Sequence, residues 1–278
     1  MPDDKKNRIQ DMLTSAAGIA EPAERSRKYR NIVGILAQQA VRSADSRCLE
    51  EALKTAGLVT EDASKAYVDI IRAMAKIGVN RKDEQSLNEA VKITERIDND
   101  LDLSVALHEI VLAQAKLGID KKDEEIFSYS LELTKKIPLN TYRSSAFRNI
   151  SRALAGREPK KAMELLETAI ELIEKSKDAK PVYLISAFCD IAALLSKFND
   201  KRSYGFIRRA ITLADDIADD FEKSAVLLKI VENESAIGTE RHDEGLLKEA
   251  SMISEGITRE YYKTLALKAV RRTLRKED

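Results

Sequence analysis

A repeat with a period near 40 residues is the feature of this sequence that most constrains its fold. Each of seven stretches opens on a residue called the anchor here, which is followed by apolar residues three and six positions later. In every stretch but the first, the residue two positions after the anchor is also apolar, and consecutive anchors lie 38 to 41 residues apart. The anchors are Ser26, Ser64, Ser104, Ser144, Ile185, Ser224 and Thr264. A fixed period of this size is typical of stacked units that bury their apolar sides against neighbours, so it predicts a solenoid.

The composition favours helices, since the 278 residues include no Trp, 10 Gly and 5 Pro and are rich in helix formers. In the second repeat, Ala66, Ile70, Ala73 and Ile77 recur at three- and four-residue spacing, which places them on one face of a helix, called helix A. A second apolar pattern follows and marks helix B. We expect an all-α fold, an alpha-alpha superhelix (solenoid) of about fourteen antiparallel helices in helix-turn-helix repeats.

Two signals predict the turn between helix A and helix B. A glycine stands fourteen residues after the anchor in three repeats, where it suits the left-handed backbone that ends a helix. These are Gly78, Gly118 and Gly238, and Asn199 takes the same place in the fifth repeat. An Asp-Glu pair follows each glycine five residues later, and its Asp suits the start of helix B as a cap. These pairs are Asp83-Glu84, Asp123-Glu124 and Asp243-Glu244.

The repeat runs nearly from end to end, so residues 1–278 are expected to form a single domain. Residues 1–25 are expected to form a capping helix, 26–258 six helical hairpins, and 259–278 a second capping helix. The fourth and fifth units deviate, because Gly156 to Pro159 shortens a loop and a long helix B is expected from Lys160 to Ser176. A polar break at 177–181 follows, and a local change in curvature is expected there.

Charge and cysteine content narrow the classes of function. The 47 basic and 47 acidic residues balance, which argues against a general nucleic-acid or membrane binder, although nucleic acid is kept as a less favoured partner. Cys48 and Cys189 stand far apart and offer neither a disulfide framework nor a zinc site. The sequence has no long apolar stretch, so no membrane partner and a cytoplasmic location are expected.

The alternation of A and B helices, with Ala and bulky residues at fixed steps, resembles tetratricopeptide-like and HEAT-like repeats. The period near 40 lies in the HEAT range, although the Pro, Asp and Arg pattern of that family is absent. The shorter period, the Trp and the Leu-Gly pair of tetratricopeptide repeats are also absent. The resemblance covers almost the whole chain and is architectural. It implies a protein-binding scaffold.

No catalytic, metal or cofactor site is predicted from motifs. The two histidines, His108 and His242, are far apart and are expected at the surface, and no phosphate loop, nucleophile elbow or dinucleotide motif occurs. The anchor serines are interpreted as points of close helix contact, because no His or Lys repeats beside them.

A polar column on helix A is the candidate binding site. It consists of the residues five positions after the anchor, together with arginines one turn later. The candidate residues are Asn31, Asp69, Arg72, Glu109, Asn149, Arg152, Asp190 and Lys229. If helix A lines the concave side, as in tetratricopeptide proteins, this column faces a bound peptide or helix. The plainer alternative is that the column is an ordinary solvated stripe. If helix B lines the concave side, as in HEAT proteins, the column lies on the wrong side to bind a partner.

Three functions follow from this pattern. The leading hypothesis is a non-enzymatic protein-protein interaction scaffold that binds a peptide or helix in a groove. The second is a nucleic-acid-binding solenoid that uses the basic clusters near its ends, for which capping of helix ends is the plainer explanation. These clusters are Arg25, Arg27, Lys28 and Arg30, and Lys268, Arg271, Arg272, Arg275 and Lys276. The third is an enzyme on a helical-hairpin solenoid, which requires a deep pocket with convergent polar groups. The partner's identity and the oligomeric state stay open.

Overall fold

The protein folds entirely into helices in the computed structural model, which describes residues 3–43, 45–176 and 179–274. Within these ranges there are fourteen α-helices, one short 3-10 turn at Thr94–Arg96 and no strand. The helices are α1 (Asp3–Ala17), α2 (Pro22–Ser43), α3 (Ser46–Ala56), α4 (Ala63–Arg81), α5 (Glu84–Ile93), α6 (Asp100–Lys121), α7 (Glu124–Lys135), α8 (Asn140–Leu154), α9 (Pro159–Glu174), α10 (Pro181–Lys197), α11 (Arg202–Asp215), α12 (Asp220–Arg241), α13 (Glu244–Gly256) and α14 (Glu260–Leu274). The predicted all-α fold of about fourteen helices, packed in sequence order, is confirmed.

The even-numbered helices from α2 to α14 are the A helices, and the odd-numbered ones are the B helices. Contacts divide the chain into two compact units, 1–146 and 147–278, and the division falls inside α8. The single domain stays a prediction. Among the described residues, none of the helices is both long and apolar enough to cross a membrane.

The A helices pack directly on one another inside each unit. In the first unit α2 contacts α4, and α4 contacts α6; in the second unit α10, α12 and α14 form the same kind of stack. The B helices approach one another less closely: among the described residues, no Cα of α3 lies within 8 Å of α5, and the same holds for α5 and α7 and for α11 and α13. Neighbouring B helices still contact each other through side chains, as in the ion pair of Arg208 on α11 with Glu249 on α13. The A helices therefore form a close layer and the B helices an open one.

Small and aromatic residues at fixed steps form the core of this packing. The alanines two positions after the anchor, such as Ala66, Ala106 and Ala187, have almost no exposed surface. The aromatic column three positions after the anchor is also buried, as the sequence predicts. Its members are Tyr29, Tyr67, Phe147 and Phe188.

In the first three repeats the anchor hydroxyl holds the open end of its hairpin closed. Ser26 Oγ accepts hydrogen bonds from the backbone N–H groups of Thr60 (3.1 Å) and Glu61 (2.9 Å), which precede the next A helix. Ser64 Oγ accepts from Asp98 N (3.3 Å) and Ser104 Oγ from Leu139 N (3.0 Å) in the same way. The repeated hydroxyl thus binds the loop that follows helix B, a role that goes beyond the predicted close contact.

The prediction that glycine ends helix A is wrong. Gly78 lies inside α4, and the left-handed residue that ends the helix is Lys82, with φ of 56°. Lys122 and His242 take the same conformation after α6 and α12. Asn199, at φ 56°, does have the left-handed backbone expected of it, because α10 ends earlier in its repeat. Glycine is needed for a different reason, since a Cβ on Gly118 would lie 2.7 Å from the backbone N of Phe127 in α7.

The predicted Asp caps are present. Asp83 Oδ1 accepts from Ser86 N at the start of α5, and its own N–H donates to Gly78 O at 2.8 Å. Asp83 therefore caps the C-terminal end of helix A and the N-terminal end of helix B. Asp123 and Asp243 repeat both bonds, and the hydrogen bond from Leu246 N is the main reason why the pKa of Asp243 lies below its usual value.

The deviating repeat is found in part. Helix α9 is the longest B helix of the described hairpins and begins at Pro159, which suits the first turn of a helix. Lys177 and Asp178 of the predicted break lie outside the described residues, and the change in curvature stays a prediction.

Replacing Gly118 with Ala tests the close approach of helices A and B. Because the new Cβ collides with the backbone of Phe127, we expect G118A to lower the free energy of unfolding by about 1–3 kcal/mol. Urea denaturation measures this change. The control is G205A on α11, where a Cβ meets no atom within 4 Å and the better helix propensity of Ala raises stability by about 1 kcal/mol. Equal effects of the two substitutions would contradict the assigned role of Gly118.

Candidate functional site

The predicted polar column lies on the solvent side of the A helices. We define the A stripe as the residues 1, 5, 8 and 12 positions after each anchor, and all eight predicted residues belong to it. Asn31, Arg72 and Arg152 are exposed, and the other five are partly buried. Asn31 lies on α2 and, among the described contacts, joins neither of the two clusters that the other residues form.

In the first unit, Arg72 joins two carboxylates from successive A helices. Its Nη1 lies 3.7 Å from Asp69 Oδ1 on the same helix, and its Nε lies 3.4 Å from Glu109 Oε1 on α6. Burial raises the pKa of Asp69, and the charges of Arg72 and Arg30 oppose that shift. A residue eight positions after one anchor, Arg72, thus contacts a residue five positions after the next anchor, Glu109, on the neighbouring A helix.

A cleft of about 230 Å³ opens between α2 and α4 on this same face. Gly34, Ala37 and Ala73 contribute little side-chain volume to it, while Asp69 and Arg72 line it with charge. The other lining residues are Gln38, Val41 and Lys76. Gly34 leaves the space open, because the nearest atom to a Cβ added at this position is Asp69 Oδ2, 3.9 Å away. Sequence reasoning missed Gly34, although it stands at the position that holds Arg72 in the next repeat.

In the second unit, Asp190 on α10 collects cations from two other A helices. Lys229 Nζ of α12 lies 3.3 Å from Asp190 Oδ1, and Arg152 Nη2 of α8 lies 3.5 Å from the same atom. Arg148 Nε lies 3.6 Å from Asp190 Oδ2, with only 7% of its side chain exposed. Sequence reasoning named three of these four residues and missed Arg148, which is one position before the column.

Neutral groups hold the two more exposed cations in place. Lys229 Nζ donates a hydrogen bond to Ser186 Oγ at 2.6 Å, and Arg152 Nη1 donates to Asn149 Oδ1 at 2.8 Å. The Asp190 cluster therefore consists of Arg148, Asn149, Arg152, Ser186, Asp190 and Lys229.

The A stripe carries more positive than negative charge in both units. In the first unit its cations are Arg27, Lys65, Arg72, Lys76 and Lys116, and its anions are Asp69 and Glu109. In the second unit its cations are Arg152, Lys197, Lys229 and Arg272, and its anions are Asp190 and Glu232. The chain as a whole is neutral, so the remaining surface carries the excess of acid.

The terminal basic clusters are partly committed to local contacts. Arg25 Nη1 donates to the carbonyl of Ile19 at 3.2 Å, and Arg30 pairs with Asp62 at 3.1 Å. On α14, Lys268, Arg271 and Arg272 are exposed. Arg275 and Lys276 lie outside the described residues.

The histidines differ from each other. His242 is exposed, as expected. His108 is only partly exposed, with Nε2 3.1 Å from Ser145 Oγ and its ring edge against Tyr142. Among the described residues, no group of three or more His, Cys, Asp or Glu side chains could hold a metal ion.

A buried carboxyl group on α12 was not predicted. Glu234 has no exposed surface, and within the described part of the chain neither of its carboxyl oxygens has a hydrogen-bond partner. Burial, together with the nearby carboxylate of Glu249, raises its pKa to about 8, and the charge of Arg208 opposes the shift. Arg208 itself pairs with Glu249. The signal was in the sequence, because the same position holds Leu36, Met74, Leu154 and Leu195 in other repeats.

The raised pKa of Glu234 makes stability depend on pH. Between its usual value of 4.5 and about 8, the folded chain keeps a proton that the unfolded chain releases. The contribution is therefore fully present below about pH 4.5 and is lost as the pH rises through about 8, by roughly 1.4 kcal/mol per unit. We expect E234Q to be more stable than the parent at pH 8 and not at pH 4.5. The substitution introduces the side chain that Gln114 already provides at the equivalent position of another repeat.

Urea denaturation at several pH values measures this difference. The control E232Q changes an exposed carboxylate on the same helix and is expected to leave the pH profile unchanged. A parallel pH profile for E234Q and the parent chain would show that Glu234 is ionised in the folded protein.

Comparison with known proteins gives little further information. No protein-family model matches the sequence, and no match to a curated protein was found. Among solved structures, the chain is similar to the crystal structure of Ton1535 from Thermococcus onnurineus NA1, with 15% identity over 96% of both chains and a TM-score of 0.26. A similarity of this degree supports no argument about fold or function. The helical repeat is therefore established by the structure itself, and membership of the tetratricopeptide or HEAT families stays a prediction.

Proposed function

We propose that the protein is a non-enzymatic interaction scaffold that binds a segment of another protein on its A stripe. The observation that carries this proposal is the cleft between α2 and α4, which combines a floor of small residues with a charged rim. It lies on the face that the sequence marks as the candidate binding surface. Helical repeats offer such faces to peptides and helices.

The dimensions of the cleft suit a side chain of a partner protein. Its volume of about 230 Å³ is below the roughly 300–1,000 Å³ of typical small-molecule sites. One or two apolar side chains fill such a space, and the rim residues Asp69, Arg72 and Lys76 remain available to polar groups around them.

The ion pairs of the stripe are easily exchanged. Arg72 lies 3.4 to 3.7 Å from its partners, and its side chain is 44% exposed. Exposed pairs of this kind contribute less than about 1 kcal/mol. A partner can therefore replace them at small cost in free energy, which favours binding over a purely structural role.

In tetratricopeptide proteins helix A forms the inner layer, and the closer packing of the A helices here fits that arrangement.

Cys48 and Cys189 are both free and buried, and burial raises the pKa of Cys189 to about 12. Unreactive thiols of this kind are compatible with the proposed cytoplasmic location.

Filling the cleft tests the proposal. Peptides are selected from a displayed random library against the full chain, and their affinities are measured for G34L and for the control G205L on α11. Both substitutions replace a helical glycine with Leu, which favours the helix by about 1 kcal/mol, so neither variant is expected to unfold. We expect G34L to weaken binding about tenfold or more, whereas G205L leaves it unchanged.

Two results would contradict this proposal. Selected peptides that bind G34L as well as the parent chain would place the binding surface elsewhere. A selection that enriches no peptide at all would reject the scaffold function.

A further inference from the structure

The charge of the A stripe departs from that of the whole chain. Nine of its described positions are cationic and four are anionic, while the 47 basic and 47 acidic residues of the sequence balance. A segment that binds along the stripe therefore meets a positive surface. Charge complementarity of this kind selects partners and speeds their association.

The Asp190 cluster concentrates this excess in the second unit. Three cations lie within 3.3 to 3.6 Å of one carboxylate, so Asp190 cannot neutralise them all. Glu232, one turn beyond Lys229, is the other carboxylate of the stripe in this unit, and Lys197 on α10 adds a further positive charge. The cluster keeps a positive surplus.

The two outer cations of the cluster are accessible to a ligand. The side chains of Arg152 and Lys229 are 41% and 36% exposed, while Arg148 lies beneath them. Burial lowers the pKa of Arg148 to about 10, so it is still charged at neutral pH.

We propose that the partner segment is acidic and that its carboxylate side chains bind the A stripe, with Arg152 and Lys229 of the Asp190 cluster as the main anchor in the second unit. This inference rests on the proposed scaffold function and specifies the chemistry of its partner.

The pattern of the stripe favours an acidic polypeptide over a nucleic acid. Asp69, Glu109 and Asp190 interrupt the cations at one position per helix and would repel a continuous phosphate backbone. The aromatic column is buried, as Tyr67 and Phe188 show, so the stripe offers no rings on which bases could stack. Separate carboxylates fit the interrupted pattern better.

The repeat also sets the expected spacing of these carboxylates. Packed helices lie about 8–10 Å apart, and an extended chain advances about 3.3 Å per residue. An extended partner therefore presents an acidic residue about every third position to match successive A helices.

The test compares peptide pools selected from the same random library against the full-length parent chain and against R152Q/K229Q. We expect the parent pool to be enriched in Asp and Glu, and the enrichment to be much reduced in the variant pool. The control K201Q/K248Q removes two exposed lysines from the B-helix side and is expected to reproduce the parent pool. Circular dichroism and urea denaturation check that each variant is folded.

A gain in affinity provides the sharper readout. D190N removes the carboxylate that competes for Arg148, Arg152 and Lys229, so it is expected to tighten binding of the leading acidic peptide several-fold. The same peptide with its acids changed to amides is expected to bind at least tenfold more weakly. If Asp190 were merely structural, D190N would weaken binding or leave it unchanged, and either result would overturn the proposal.

The outcomes separate this inference from the scaffold function. Peptides that bind the A stripe but carry no excess of acid would reject the acidic partner and leave the scaffold intact. The absence of any peptide on the stripe would reject both. Binding of single-stranded DNA or of anionic vesicles, tighter than that of the acidic peptides and lost in R152Q/K229Q, would assign the cluster to a different class of partner and overturn the inference.

Discussion

Direct packing of consecutive A helices within each unit is the interaction on which the rest of this structure depends. A single hairpin has one apolar side, and it is buried only when the neighbouring A helices cover it. The fully buried alanines two positions after the anchor are small enough for such close packing. The B helices lie farther from one another and contact each other through long side chains, as in the ion pairs of Arg209 with Glu174 and of Arg208 with Glu249. The solvent side of this layer of A helices carries the A stripe.

The turns reinforce this arrangement with local hydrogen bonds. Asp83, Asp123 and Asp243 each end one helix through the backbone and begin the next through the side chain, so the angle between A and B is fixed within a few residues. The anchor hydroxyls of Ser26, Ser64 and Ser104 close the first three hairpins at their other end. Both devices recur with the sequence period, and for this reason the period predicts the fold so well.

The limits of sequence reasoning follow from the range of the interactions. Helix class, helix number and the Asp caps depend on neighbours a few residues apart, and they were predicted correctly. Gly118 was misinterpreted because a glycine near a helix end suits a left-handed turn equally well, and only the position of Phe127 in the next helix shows why a side chain is excluded. The hydroxyl of Ser104 binds a loop 35 residues away, which a local pattern does not reveal. For the site, the pattern identified the column but not the convergence of Arg148 and Lys229 on Asp190. That convergence depends on how each of three helices is oriented about its own axis, which a local pattern does not determine.

The central claim is that the layer which holds the repeats together also presents the binding surface. Site-specific photo-crosslinking tests it most directly, with a photoreactive residue placed at Lys116 or Lys197 on the A stripe, or at Lys135 or Lys248 on B helices. The protein is irradiated in the cells that produce it, and crosslinked products are identified by mass spectrometry. The account predicts that a common protein partner is crosslinked from the A-stripe positions and not from the B-helix positions. Crosslinking of that partner from Lys135 or Lys248 alone would contradict it.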